Sequence, residues 1–219
     1  MQQEFDAPLF YLWLISTAIQ IGLWSQTNTL RYDERTTGPH IRLRSIPIGS
    51  GPFAVSIRLS LMPLPEIQRC AKDAYLHYGL KLHFGNSDVD MDNPRHVAQL
   101  RRVFRAADEH GMAIVIHMRP SVTRNRPYGA KEAKTFVNKV FPSAPHVPIQ
   151  IAHLAGAGGF DDPSINSALS VFIDAIARHD PRMANLYFDI CGVAGIGRWK
   201  EKRGLIAERI RQIGISRIV

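Results

Sequence analysis

The sequence is short of the features that would set it apart from ordinary globular proteins. It has two cysteines, Cys70 and Cys191, far apart and in no CxxC pattern, so two free thiols in a reducing cytoplasm are expected. It has no long unbroken apolar run. The most apolar stretch, Pro8 to Trp24, is interrupted by Ser16, Thr17 and Gln20, and a membrane span needs at least about 17 residues. The flank before it carries Glu4 and Asp6 where a secretory signal would be basic, and no convincing cleavage site follows. A buried or interfacial helix suits this stretch at least as well as an anchor, and no membrane partner is expected. The sequence also lacks a recognisable nucleic-acid module. Its formal charge of +8 comes from Arg and Lys scattered along the chain, so no nucleic-acid partner is expected despite the sign.

What is present is a repeated pattern in which an apolar run ends in a polar residue and a turn. Gly79-Leu80-Lys81-Leu82-His83 is one copy and Ala113-Ile114-Val115-Ile116-His117 another. Ile149-Gln150-Ile151-Ala152-His153 is a third, Leu186-Tyr187-Phe188-Asp189 a fourth, and Ile213 to Val219 begins a fifth. Positions 83, 117, 153 and 189 are spaced by 34, 36 and 36 residues, roughly the length of one strand, one helix and two short loops. Helical patterns fill the gaps. Asn93 and Pro94 read as an N-cap and first helical residue. Val97, Leu100, Val103, Phe104 and Ala107 make the apolar face behind them. Further helices are expected over 66–74, 130–141 and 200–213 and on the Ile165, Leu169, Phe172, Ile173, Ile176 face. Alternation of this kind predicts a parallel sheet. At 219 residues one domain is expected, though a complete eight-unit barrel usually needs about 250. Residues 1–50 are different in style and carry no assignable chemistry, although Ile41 to Ile48 and Phe53 to Leu59 could be strands.

Residues two apart in a strand face the same side. Lys81 therefore shares a face with His83, Val115 with His117, Ile151 with His153, and Tyr187 with Asp189. If those faces converge, three histidines, a lysine and an aspartate meet at one mouth. Imidazoles there could bind a metal or act as a general base. Arg119, two residues past His117, is placed to hold a substrate carboxylate, or else to form a surface ion pair. His153 could equally cap its strand by hydrogen bonding. The turn at Gly156, Gly158 and Gly159 could cradle an anion or simply turn tightly.

Gly-Leu-Lys-Leu-His, Val-Ile-His-Met-Arg-Pro, Gln-Ile-Ala-His-Leu-Ala-Gly and Leu-Tyr-Phe-Asp-Ile-Cys-Gly, in that order, resemble the central and later strands of the amidohydrolase superfamily. The nearest likeness is to its amidohydrolase-related branch, which includes aminocarboxymuconate-semialdehyde decarboxylase-like enzymes, and it extends over about Pro65 to Val219. It implies a metal-dependent (β/α)8 TIM barrel that uses metal-activated water on a small carboxylated, amide- or lactone-type substrate, with zinc as the metal. A related decarboxylase or hydratase is the alternative within the same branch. By this resemblance His117 matches the metal-ligand histidine of the fifth strand. His153 matches the sixth-strand histidine that serves as general base or holds a second metal. Lys81 and His83 fall on the fourth strand and, with Arg119 and Asp189, are candidate substrate contacts.

The sequence departs from the family at both ends of the metal site. There is no His-x-His pair, which in the family closes the first strand, and His40 is the only histidine before residue 77. The family's metal-binding aspartate after the eighth strand would fall beyond Val219. The expectation is therefore an incomplete barrel of central and C-terminal βα units over 51–219, preceded by a divergent segment over 1–50. Zinc binding and turnover are expected to be weak or absent in these 219 residues. The rival reading is a non-catalytic barrel acting through a partner chain. A third is a metal-free barrel binding a phosphorylated ligand at the 156–159 turn. Open strand edges would favour a homo-oligomer.

Overall fold

Short runs of β-branched and leucine residues bounded by turns give the sheet of this protein its strands. A computed structural model describes residues 55–56, 64–74, 76–121, 124–156, 163–193 and 199–219. The expectations for residues 1–50, including Pro8 to Trp24, lie outside the described residues. So does most of the Phe53 to Leu59 stretch, of which only a two-residue strand is described. The strands are β1 (Val55–Ser56), β2 (Gly79–His83), β3 (Ala113–His117), β4 (Ile149–Ile151) and β5 (Leu186–Phe188). The helices between and after them are α1 (Leu64–Lys72), α2 (Pro94–Glu109), α3 (Ala130–Thr135), α4 (Pro163–Ala177) and α5 (Trp199–Ile213).

The protein is thus a mixed α/β fold on a parallel sheet. Strand order is β1-β2-β3-β4-β5, the order of the chain, and every pairing is parallel. Doubly wound sheets reverse this order at a switch point; the described strands do not. The expected fifth strand at Ile213 to Val219 is reduced to a single parallel bridge between Phe188 and Ile218. The reason is local: α5 runs on to Ile213 and Ile215–Arg217 forms a 3-10 turn, leaving little chain to extend.

The two faces of the sheet have different fates. Leu80, Leu82, Ile114, Ile116, Ile149, Ile151, Leu186 and Phe188 join the apolar faces of all five helices in one core. Phe136 is its hub, with ring centroids 5.6 Å from Phe104, 6.2 Å from Phe84 and 6.3 Å from Phe172, separations suited to edge-to-face packing. On the other face only Ala113 and Val115, with Tyr187 and Val219, make a small separate apolar cluster. The rest of that face is polar, and the candidate site lies there.

Asn93 caps α2 as its position predicts, its side chain accepting from the Arg95 N–H at 2.9 Å. The helix expected over 130–141 departs from its pattern. It is α-helical only to Thr135, then π-helical over Phe136–Val140 and 3-10 over Phe141–Ser143. Phe136, Val137, Val140 and Phe141 are all buried along these turns. The shift gives the Phe141 N–H to the Phe136 carbonyl, and Pro142 has no N–H to offer the Val137 carbonyl. Arg182 supplies it, donating from Nη1 at 3.1 Å.

Candidate functional site

β2 and β3 end level with each other. His83 is in register with His117, and their rings stack with centroids 4.0 Å apart and planes 8° from parallel. The Asn86 N–H donates to His83 Nδ1 at 3.1 Å, so that nitrogen keeps its lone pair and a neutral ring carries its proton on Nε2. Burial, reinforced by the nearby Lys81 charge, holds the His83 pKa down at about 4. Burial acts more strongly on His117, with His83, His153 and Lys81 adding to it, and takes its pKa to about 2. Both rings are neutral at ordinary pH. His117 Nδ1 is buried without a hydrogen-bond partner.

His153 reaches the same place by a different route from the one its spacing suggests. β4 stops at Ile151, whose side chain belongs to the helix-side core, so residue 153 is not held on the polar face by strand alternation. Instead His153, Leu154 and Ala155 take successive left-handed conformations, with φ of 56°, 48° and 65°. Such backbone costs of order 1 kcal/mol or more per non-glycine residue. The turn brings the His153 ring edge-on to His117, centroids 4.9 Å apart at 72°. His153 Nδ1 donates to the Cys191 carbonyl at 2.5 Å, which leaves a lone pair on Nε2.

Asp189 holds this turn in place. It is fully buried and accepts from the Gln150 amide at 2.7 Å, the His153 N–H at 2.9 Å and the Cys191 N–H at 3.0 Å. Expected as a substrate contact, it accepts here from two backbone N–H groups and one side-chain amide. Lys81 lies on the same polar face, 8 % exposed. Burial pushes its pKa down and the Asp189 charge opposes that shift. Arg119 has its guanidinium carbon 5.4 Å from the centre of the Tyr128 ring, a cation–π placement. The Tyr128 hydroxyl donates to the Ala155 carbonyl, tying Arg119 to the His153 turn. The loops after β2 and β3 are clamped by Arg126, which meets Asp88 at 2.9 Å and Asp90 at 3.3 Å.

The structure therefore gathers His83, His117, His153, Lys81 and Asp189 at one end of the sheet, with Arg119 one contact away. Gln150 and Tyr128 belong to the same network and were not anticipated. A glutamine between two isoleucines in a buried strand was the available signal for the first. Of the glycine turn only Gly156 is described; Gly158 and Gly159 lie outside the described residues.

Zinc takes four ligands around one point, and an imidazole binds it in the plane of its own ring. The planes of His83 and His117, stacked face to face, do not meet at a common ion. Among the described residues no group of three or more His, Cys, Asp or Glu is placed to hold a metal. His117 Nδ1 is orphaned and His153 Nε2 keeps a lone pair, but no third ligand joins them, so zinc does not fit the described residues in this arrangement. No helix among them is long and apolar enough to cross a membrane. No protein-family model matches the chain, and no curated protein matches it.

Proposed function

We propose that this chain is an amidohydrolase-like enzyme that hydrolyses a small carboxylated, amide- or lactone-type substrate at the polar end of its sheet. The described strands are read as consecutive staves of a (β/α)8 barrel. The observation that carries the reading is the convergence of His83, His117 and His153 on one strand end, with strained backbone spent on bringing His153 there. Unreversed strand order and helices packed on a single face support the barrel.

His153 is the general base. Its Nδ1–H is fixed on the Cys191 carbonyl, so Nε2 is the free acceptor for a proton from attacking water. His117 and His83, held neutral, line the site without adding charge, and His83 Nε2–H is a donor for the developing oxyanion. The zinc implied by the family likeness has no complete ligand set among these residues, so no step is assigned to it. The test is an assay of small esters, lactones and amides with the purified protein, with and without chelator. Hydrolysis should persist in chelator, and His153→Asn should lower kcat/KM by ~100-fold or more. Activity abolished by chelator and restored by zinc would overturn the metal-free arrangement; activity indifferent to His153→Asn would overturn the assignment of the base.

A second reading is a non-catalytic barrel that works through a partner chain, in which the buried Asp189 network serves only to brace the strand ends. No turnover across the panel, with co-purification of one defined partner at fixed stoichiometry, would favour it.

A further inference from the structure

Lys81 stands out in this fold. Lysine is almost never buried unless paired, yet Lys81 is 8 % exposed in the middle of β2. Among the described residues no carboxylate lies within ion-pair distance of it and its ammonium makes no hydrogen bond. Asp189, the acid whose field it feels, spends its oxygens on Gln150, His153 and Cys191. Its stem is packed in the sheet while its ammonium keeps contact with solvent, so an incoming molecule can reach the nitrogen. The polar face it shares carries the stacked neutral imidazoles of His83 and His117, and its one acid, Asp189, acts on Lys81 through its field alone.

We propose that Lys81 is an amine nucleophile that binds a small carbonyl compound, an aldehyde or 2-oxo acid, covalently as an imine. The inference concerns bond formation rather than hydrolysis and does not rest on the hydrolase reading. The Nζ lone pair attacks the carbonyl carbon, and the C–N bond forms as the π pair moves to oxygen. One amine proton passes to that oxygen, giving a carbinolamine. The hydroxyl then departs with the second amine proton, so that one water leaves and a C=N bond remains. His83, two residues along the same face and neutral, offers its Nε2–H as a hydrogen-bond donor to the carbonyl oxygen as that oxygen gains charge. The lowered pKa of Lys81, caused by burial, keeps more of the amine in the reactive free-base form than an exposed lysine would have.

The test is reductive trapping on the full chain at neutral pH. Glyoxylate is the probe and cyanoborohydride delivers hydride to the imine carbon, fixing a secondary amine that peptide mapping by mass spectrometry locates. The expected result is one adduct on Lys81 in preference to the exposed lysines such as Lys72, Lys131 and Lys139. Its loss in Lys81→Arg is expected too. Lys81→Met should lose the adduct while keeping or raising the Tm, which separates loss of the nucleophile from loss of the fold. Labelling spread evenly over the surface lysines, or an adduct at Lys81 seen only in denaturant, would overturn the proposal. Because the readout is a covalent bond, it stands or fails independently of any hydrolysis assay.

Discussion

Asp189 shows how much one carboxylate can organise. Its three donors come from three segments: the side chain of β4's Gln150, the first residue of the left-handed turn, and the loop after β5. Asp189→Ala strands those donors in a buried place, where each unsatisfied group costs roughly 1–3 kcal/mol. The variant should therefore lose about 3 kcal/mol or more by urea denaturation, and the His153 turn should relax with it. Asp189→Asn is the informative contrast. The new side-chain oxygen can still accept from the His153 and Cys191 N–H groups, but its amide would face the Gln150 amide, donor against donor. Gln150 Oε1, buried and unpartnered in the native protein, resolves the conflict if the glutamine side chain flips. Asp189→Asn should thus cost far less than Asp189→Ala. Equal losses would mean that the negative charge, through its field at Lys81, matters more than the hydrogen bonds.

At the scale of elements, close approach between neighbours decides what a strand tolerates. A Cβ built on Gly79 would lie 2.7 Å from the Ala113 carbonyl oxygen, a backbone atom that cannot swing aside. Gly79→Ala should gain a few tenths of a kcal/mol from a stiffer unfolded chain and lose about 1–3 kcal/mol to overpacking. The net expectation is a lower Tm and faster amide exchange at the start of β2 and β3. This contact also shows where sequence reasoning runs out. β2 and β3 were legible because their apolar runs end cleanly in His83 and His117. The cap of α2 was legible because Asn93 and Pro94 act locally. The π turn after Thr135 was not, because nothing within 130–141 breaks a helix; the demand comes from the core around Phe136 and from Arg182, far along the chain. His153 was found for a reason that does not hold. Strand alternation placed it on a face with Ile151, whereas a left-handed turn anchored by Asp189 carries it there. Residue type revealed the histidine, and only the tertiary partner explains its direction.

For the whole molecule, the stacked histidines impose a pH dependence on stability. In an unfolded chain each imidazole titrates near 6.5, whereas in the folded protein His83 waits until about pH 4 and His117 until about pH 2. Between those limits the unfolded state binds more protons than the native state, so stability rises with pH across the window. The contribution is fully present above pH 6.5. It is lost as pH falls, through His83 down to about 4 and through His117 further still. The protein should therefore show a steep fall in Tm on acidification from pH 7 to 4. Proton uptake on unfolding, measured by calorimetry in buffers of different ionisation enthalpy, should be close to two protons in the middle of that range if other groups contribute little. His117→Asn removes one of the two groups and should flatten the slope by about half, even if it lowers stability at neutral pH by disturbing the stack. A slope unchanged by His117→Asn would mean that the ring is already protonated in the folded state. The stack would then hold a charge, and the neutral lining assigned to the site would have to be given up.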